Sequence, residues 1–219
     1  MYLRAFNGKT SKWFPLRESG VFDLVDIDPA VTYKAIQKLL LTGKVRAIRV
    51  SNFTIGRLND LLSKVDIVPA VNQVEAHPYL QQRDLFDFCK SKNILIEAYS
   101  PLGNNQTGEP RTVDDELVGV LGRRLGMDGG QSLATWARWG IQRGTVVLPK
   151  SVTPCRIKSN LQVKELPKDA FEELSALERH KRINQQLRWG FDIFEELGEE
   201  KVRKIAEDCA KENKVKFTV

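Results

Sequence analysis

The sequence predicts an α/β fold built on a parallel sheet with helical crossovers. Three observations carry that expectation. Short apolar and β-branched runs at residues 45–50, 69–74, 94–99 and 145–148 have the length and composition of buried strands. Segments with apolar residues at helical spacing lie between them, so strand and helix alternate four times. The last run stops at Pro149, which cannot donate to a ladder, and Pro154 then pre-sets the first turn of another helix. This order suits either a doubly wound or a barrel arrangement, and composition does not separate the two.

Taken in order, residues 1–27 carry no sustained period, and Asn7-Gly8, Pro15 and Ser19-Gly20 punctuate them, so they read as a long loop. Asp28-Pro29 is an N-cap followed by proline at the first helical position. Val31, Ala35, Ile36, Leu39 and Leu40 then repeat at helical spacing until Gly43 ends the helix. After the strand at 45–50, Ser51-Asn52-Phe53-Thr54 turns and caps a helix at 55–62. A strand at 69–74, a helix at 82–91 with Leu85, Phe86 and Cys89 on one side, and a strand at 94–99 repeat the pattern. Residues 100–112 form a polar loop, helical segments follow near 114–125 and 131–139, and the strand at 145–148 completes the alternation. Beyond residue 160 come a helix at 167–177, an irregular stretch around Trp189-Gly190-Phe191 and a final amphipathic helix at 199–211. There is no tandem repeat, and residues 1–219 are expected to be one domain.

Composition narrows the function. Hydrophobic residues at 42% and charged residues at 28% are ordinary for a globular chain. No run is long enough to span a bilayer and the first residues lack the apolar stretch of a signal peptide, so a cytoplasmic protein without membrane contact is expected. The formal charge is +6, but 34 Lys and Arg are scattered among 28 acids rather than set in a stripe, which argues against nucleic acid as a partner. Cys89, Cys155 and Cys209 are far apart and odd in number, so neither a disulfide framework nor a zinc spacing is present, and no metal is expected.

In parallel α/β folds ligands sit beyond the C-terminal ends of the strands. Here those ends supply Ser51-Asn52, Gln73 with Glu75 and His77, Tyr99-Ser100, and Lys150-Ser151. Carboxamides and a hydroxyl can pair with a carboxamide-bearing ligand, and a tyrosine ring can stack on its plane. Lys150, Ser151 and Thr153 precede Pro154, with Arg156 and Asn160 four residues apart on what should be one helix face, a chemistry suited to a phosphate. The same residue types also fit an ordinarily capped, solvated turn. Glu75 and His77 have the types of an acid–base pair, but beside Pro78 a hydrogen-bonding, positional role is the better reading. Glu75 and Glu97 do not make a dyad. Trp13, Trp136 and Trp139 read as packing aromatics, since no basic residues interleave with them. No glycine-rich dinucleotide or phosphate loop and no nucleophile elbow occurs.

Leu148-Pro149-Lys150-Ser151-Val152-Thr153-Pro154, with Arg156-Ile157 and Asn160, closely resembles the NADP-binding signature of the aldo-keto reductase superfamily. Val50-Ser51-Asn52-Phe53, the stretch from Asn72 to Leu80, and Ala98-Tyr99-Ser100-Pro101-Leu102-Gly103 resemble three further blocks of that family, in its order and at its intervals. The resemblance implies a (β/α)8 TIM-barrel type of fold, here a truncated barrel retaining about strands 5 to 8 and the C-terminal segment. It implies NADP as cofactor, with Lys150, Ser151, Val152, Thr153, Arg156 and Asn160 at the 2′-phosphate and adenine. Ser51, Asn52 and Gln73 would hold the nicotinamide carboxamide, Tyr99 would stack on the ring, and Ser100 and Leu102 would lie along the pyrophosphate. Trp189 to Phe194 resembles the C-terminal segment that shapes the substrate pocket in fungal glycerol-dehydrogenase-like members, and Arg111, Trp189, Phe191 and Ile193 are its candidate lining. Two positions depart from the pattern: Arg49 stands where glycine is usual, and Ser159 where a glutamate is common.

The family's tyrosine, lysine, aspartate and histidine come from its first four strands, which find little counterpart here. Tyr2-Leu3 reads as a remnant of the fourth strand, and Thr10-Ser11-Lys12-Trp13 as a decoy for the lysine block. The resemblance therefore implies interconversion of small carbonyls and alcohols by descent, with no catalytic residue assigned and little or no turnover by this chain alone. The alternative is a non-catalytic NADP(H)-binding or interaction protein derived from a reductase. A four-stranded half-barrel is further expected to leave both edges unpaired, to expose Val, Ile and Ala on its inner face, and so to self-associate by aggregation or pairing with another copy, or else to be a truncated product of poor stability.

Overall fold

A computed structural model describes residues 4–6, 22–103, 111–127, 129–162, 164–185 and 187–216. Tyr2-Leu3, the block from Thr10 to Trp13, most of the polar loop after Gly103 and Asp128 lie outside the described residues. The chain divides into two units, residues 1–46, 56–67 and 185–219, and residues 47–55 and 68–184.

In the first unit, β1 (Arg4–Phe6) pairs antiparallel with β2 (Leu24–Asp26), with Ala5 opposite Val25. This corrects the reading of residues 1–27 as loop throughout. Three-residue strands are too short to show alternation, and their stability comes from a backbone partner some twenty positions away. Helix α1 (Pro29–Gln37) begins as expected, with Asp28 Oδ1 accepting the Ala30 N–H at 2.9 Å. A 3₁₀ segment, Lys38–Thr42, follows and ends at Gly43, whose φ of 69° is the left-handed cap conformation open to glycine. Lys64 Nζ bridges Asp28 at 3.0 Å and Asp60 at 2.8 Å, tying α1 to α2 (Ile55–Leu62). Arg57 of α2 is buried, donates to the Ile193 carbonyl and pairs with Glu195 at 3.0 Å. Asp192 closes the turn below, accepting the N–H groups of Phe194, Glu196 and Leu197 at 2.7–2.9 Å. The last helix, α8 (Glu199–Lys216), runs five residues past the expected end.

The second unit holds a parallel sheet of β3 (Arg49–Ser51), β4 (Val71–Glu75), β5 (Leu95–Tyr99) and β6 (Val146–Val147), each hydrogen-bonded to the next in chain order. Every strand starts later than its apolar run, because only the residues opposite a neighbour join the ladder. The strand order never reverses, which is consistent with a segment of a barrel. The connections carry α3 (Arg83–Ser91), α4 (Glu116–Arg124) and α5 (Gly129–Gln142), and α6 (Pro154–Asn160) and α7 (Lys168–Ser175) follow β6.

The register assigns the two sheet faces. Val50, Asn72, Val74, Ile96 and Ala98 are all buried on one. Arg49, Ser51, Gln73, Glu75, Glu97 and Tyr99 lie on the other, with Val71, Leu95 and Val146. The expectation of an exposed Val, Ile and Ala face holds for Val71 and Val146 and is corrected for Ile96 and Ala98, which the register places on the buried face. Val71, Leu95 and Val146 are the accessible apolar positions there; the others are polar or tyrosine, and Arg49 bonds Glu97, which also accepts from Gln73 Nε2. Beneath the other helices, Trp136, Leu121, Leu174, Ala170 and Val118 form a water-free cluster. Each leucine there contributes on the order of 1.5–3 kcal/mol by burial. Trp136 and Trp139, read as packing aromatics, are core, and Trp139 Nε1 donates to Ser175 Oγ at 2.9 Å. Among the described residues no helix is long and apolar enough to cross a membrane.

Candidate functional site

A parallel register brings the carboxyl ends of neighbouring strands to one edge, and the sheet thereby lines up Ser51-Asn52, Gln73 to Glu75, Tyr99-Ser100 and the segment after Val147. The turn after β3 is held from β4. Asn72, fully buried, donates Nδ2–H to the Phe53 carbonyl at 2.9 Å and accepts the Phe53 N–H on Oδ1 at 3.3 Å. This sets Asn52 at φ 59°, a left-handed conformation that asparagine tolerates. The Asn52 N–H and the Ser51 hydroxyl both donate to the Gln73 carbonyl, at 2.8 and 2.9 Å. Asn52 Oδ1 is buried with no hydrogen-bond partner. A buried acceptor in that state is costly unless a ligand donor reaches it.

After β5 the chain turns sharply. Ser100 has φ 46°, and its carbonyl accepts the Gly103 N–H at 2.9 Å. A Cβ on Gly103 would stand 2.7 Å from Thr112 Oγ1 and 2.8 Å from Thr112 N, so glycine alone fits. Leu102 packs its side chain on the Trp136 cluster, so only its backbone could serve a ligand. Tyr99 is half-buried, and burial pushes its hydroxyl above the usual phenol range. The Glu75 charge adds to that, and Arg182 opposes it.

Glu75 and His77 form the best-enclosed pair. His77 Nε2 lies 2.9 Å from Glu75 Oε1, and neither side chain is exposed. The carboxylate also accepts the N–H groups of Ile183 and Asn184, each at 2.9 Å. Burial raises the Glu75 carboxyl, but these hydrogen bonds and the His77 charge overcome it and hold the group below the usual carboxylate range. Glu97 is engaged separately with Arg49 and Gln73, so the two carboxylates share no partner in this geometry. Arg49 is more than half exposed in its bridge to Glu97 rather than crowded inside the strand.

Beyond β6, Ser151 Oγ accepts the Thr153 N–H at 3.1 Å and folds the chain into α6. Thr153 is the N-cap residue but makes no side-chain capping bond. Lys150, Val152 and Arg156 are exposed, and Ser151, Thr153 and Asn160 are half-buried. Among the described residues neither Lys150 nor Arg156 has a carboxylate partner within 4 Å. The arrangement offers, along one edge, an unpartnered carboxamide oxygen, a tyrosine ring and a cationic turn at a helix start. That is a match for a planar amide joined to a phosphate.

The residues expected to line a substrate pocket fall in different units, and each is described within its own. Arg111 is engaged with Asp114 at 2.6 and 3.0 Å, and Trp189 stacks on Phe22 with ring centroids 5.0 Å apart, with Phe191 also against Phe22. Conversely, the Glu75 contacts with Ile183 and Asn184 and the Asn72 clamp on Phe53 went unread. Backbone N–H groups carry no residue signature, and Asn72 sits inside a strand where its side chain reads as one polar interruption. Among the described residues no cluster of His, Cys, Asp or Glu could hold a metal ion.

Comparison with known proteins adds descent to this geometry. The aldo/keto reductase family profile matches residues 20–179. The glycerol 2-dehydrogenase (NADP(+)) of Hypocrea jecorina is 43% identical over 176 residues, which cover 77% of this chain and 54% of that protein. An aldehyde reductase of Saccharomyces cerevisiae is 39% identical over 192 residues, 83% of this chain and 58% of its own length. An aldo/keto reductase of a Synechocystis strain is 42% identical over 160 residues, 69% and 48% respectively. The chain spans about half the length of the curated relatives it matches.

Proposed function

This chain belongs to the aldo/keto reductase family, and on that premise we propose that it supplies the NADP(H)-holding part of a reductase that interconverts small aldehydes or ketones and alcohols. The observation that carries the reading is the buried, unpartnered Asn52 Oδ1 at the same sheet edge as Gln73 and Tyr99. In this reading Ser51, Asn52 and Gln73 hold the nicotinamide carboxamide, and the Tyr99 ring covers one face of the nicotinamide. The backbone at Ser100 and Leu102 follows the pyrophosphate. Lys150, Ser151, Val152, Thr153, Arg156 and Asn160 take the 2′-phosphate and adenine, and the whole chain forms one partial oxidoreductase domain. The cofactor, when bound, supplies a hydride to a carbonyl carbon.

The carbonyl oxygen then needs a proton, and neither Tyr99 nor His77 is a ready donor of it. Tyr99 is a weakened acid, and the His77 Nε2 faces Glu75. This favours a second reading, a non-catalytic NADP(H)-binding protein, for the chain acting alone.

Titration of the purified chain with NADPH, followed by tryptophan fluorescence with NADH as control, tests the first reading. Saturable binding that prefers NADPH supports it, and a folded chain that binds neither coenzyme overturns it. Turnover of a reactive aldehyde above about 1 per second, the low end of ordinary enzymes, rules out the second.

A further inference from the structure

Away from the strand ends, a cavity of about 560 Å³ opens between the end of α4, the middle of α5 and the segment that follows α6. Arg138 lines it and is itself only 7% exposed. Its Nη2 donates to the Gln162 carbonyl at 3.0 Å, its Nη1 reaches only the Met127 thioether at 3.6 Å, and its Nε is buried with no acceptor. A guanidinium has five N–H donors, and a thioether is a weak acceptor, so most of this donor set goes unused. No carboxylate among the described residues stands within 4 Å of it. Arg57, by contrast, pairs with Glu195, while Arg143 lies over the Phe86 and Trp139 rings and donates to the Gln81 carbonyl at 2.8 Å. Burial without a counter-charge pushes the Arg138 guanidinium below its ordinary range. Lys164 adds a second cation to the same wall, and Leu125, Met127 and Leu161 make the rest of it apolar.

We propose that this cavity binds a small organic anion, with its oxyanion on Arg138 and Lys164 and its apolar body on Leu125, Met127 and Leu161. The shared chemistry is an oxyanion, which a carboxylate or a phosphate monoester could bring. The site is separate from the Lys150 to Asn160 turn and does not rest on the cofactor reading.

Calorimetric titration of the full chain at constant ionic strength tests it, with hexanoate and inorganic phosphate as the two probes. Lys150→Ala/Arg156→Ala serves as the background, so that phosphate cannot register at the other cationic turn. One-site binding of either probe is expected, weakened about tenfold or more by Arg138→Gln. Hexanoate alone would identify a carboxylate with an apolar body, and phosphate alone a phosphoryl ligand. Met127→Glu keeps the guanidinium and places a carboxylate beside it, so it should abolish binding and raise the thermal midpoint, and it decides the matter if Arg138→Gln does not fold. Binding of neither probe, or binding that survives Met127→Glu, overturns the proposal.

Discussion

The carboxylate of Glu75 meets His77 Nε2 at 2.9 Å in a site closed to water, and the same two oxygens accept the backbone N–H groups of Ile183 and Asn184 more than a hundred residues later. One charged side chain at the end of β4 thereby anchors the segment that follows α7. It is a fixture of the fold beside the candidate site.

Glu75→Gln should lower unfolding stability by roughly 2–4 kcal/mol, since hydrogen bonds to a charged group are lost while their donors stay buried. Because the folded-state carboxyl lies below its unfolded value, its stabilisation is present above about pH 4.3, the ordinary glutamate value, and fades as pH falls through the folded value. Urea midpoints between pH 7 and pH 3 read this out, and a Glu75→Gln curve as steep in acid as the parent's would contradict it.

Tyr79 and Asp115 make a second long-range tie. The tyrosine hydroxyl donates to Asp115 Oδ2, Arg179 reaches the same oxygen at 3.1 Å, and Asp115 Oδ1 caps α4 through the Leu117 N–H at 2.9 Å. Burial and the Asp115 bond push the hydroxyl up to about 12. Tyr79→Phe should cost about 1 kcal/mol, because the carboxylate keeps its other donors. Asp115→Ala removes cap and acceptor together and should cost about 2–3 kcal/mol. Equal losses in denaturant unfolding would show that the cap carries no weight.

Gly140 sits mid-helix in α5, where alanine would ordinarily add about 1 kcal/mol. A Cβ there would stand 2.7 Å from Val147 Cγ1, and a β-branched valine has little freedom to yield. Gly140→Ala should therefore destabilise by about 1 kcal/mol net. Val147→Ala in the same chain should recover most of that loss, and a double-mutant cycle measures the coupling.

For the cofactor reading, Lys150→Ala and Arg156→Ala should each weaken NADPH about tenfold and leave NADH unchanged, since each removes one charged contact to the 2′-phosphate. Asn52→Ala should weaken both coenzymes alike, because its carboxamide faces the part they share. Fluorescence titration separates the two patterns, and a uniform loss for Lys150→Ala would place that residue elsewhere.

Much of this was legible residue by residue. Ser51 to Thr54 read as a turn before a helix, and α2 spans Ile55–Leu62 as the spacing indicated. Asp28-Pro29 marked the start of α1, and the apolar runs located all four parallel strands. These signals are local, since a cap, a proline or a 3.6-residue period acts within one turn of chain. The pairing of β1 with β2 was not legible, because three residues cannot display a period. Nor was the Arg49–Glu97 bridge on the accessible sheet face, because those residues meet across 48 positions.

The sequence by itself determined which segments become strand and helix, and which polar residues stand at the strand ends. Side-chain period and capping chemistry need no distant partner. Only the tertiary structure decided that the strands wind in one direction and that Asn52 keeps an unpartnered oxygen. It alone decided that Glu75 closes on Ile183 and Asn184 and that Arg138 is buried with no carboxylate among the described residues within 4 Å. Those outcomes depend on backbone groups and charges far apart in the chain, whose encounter is set by packing and carries no local signature.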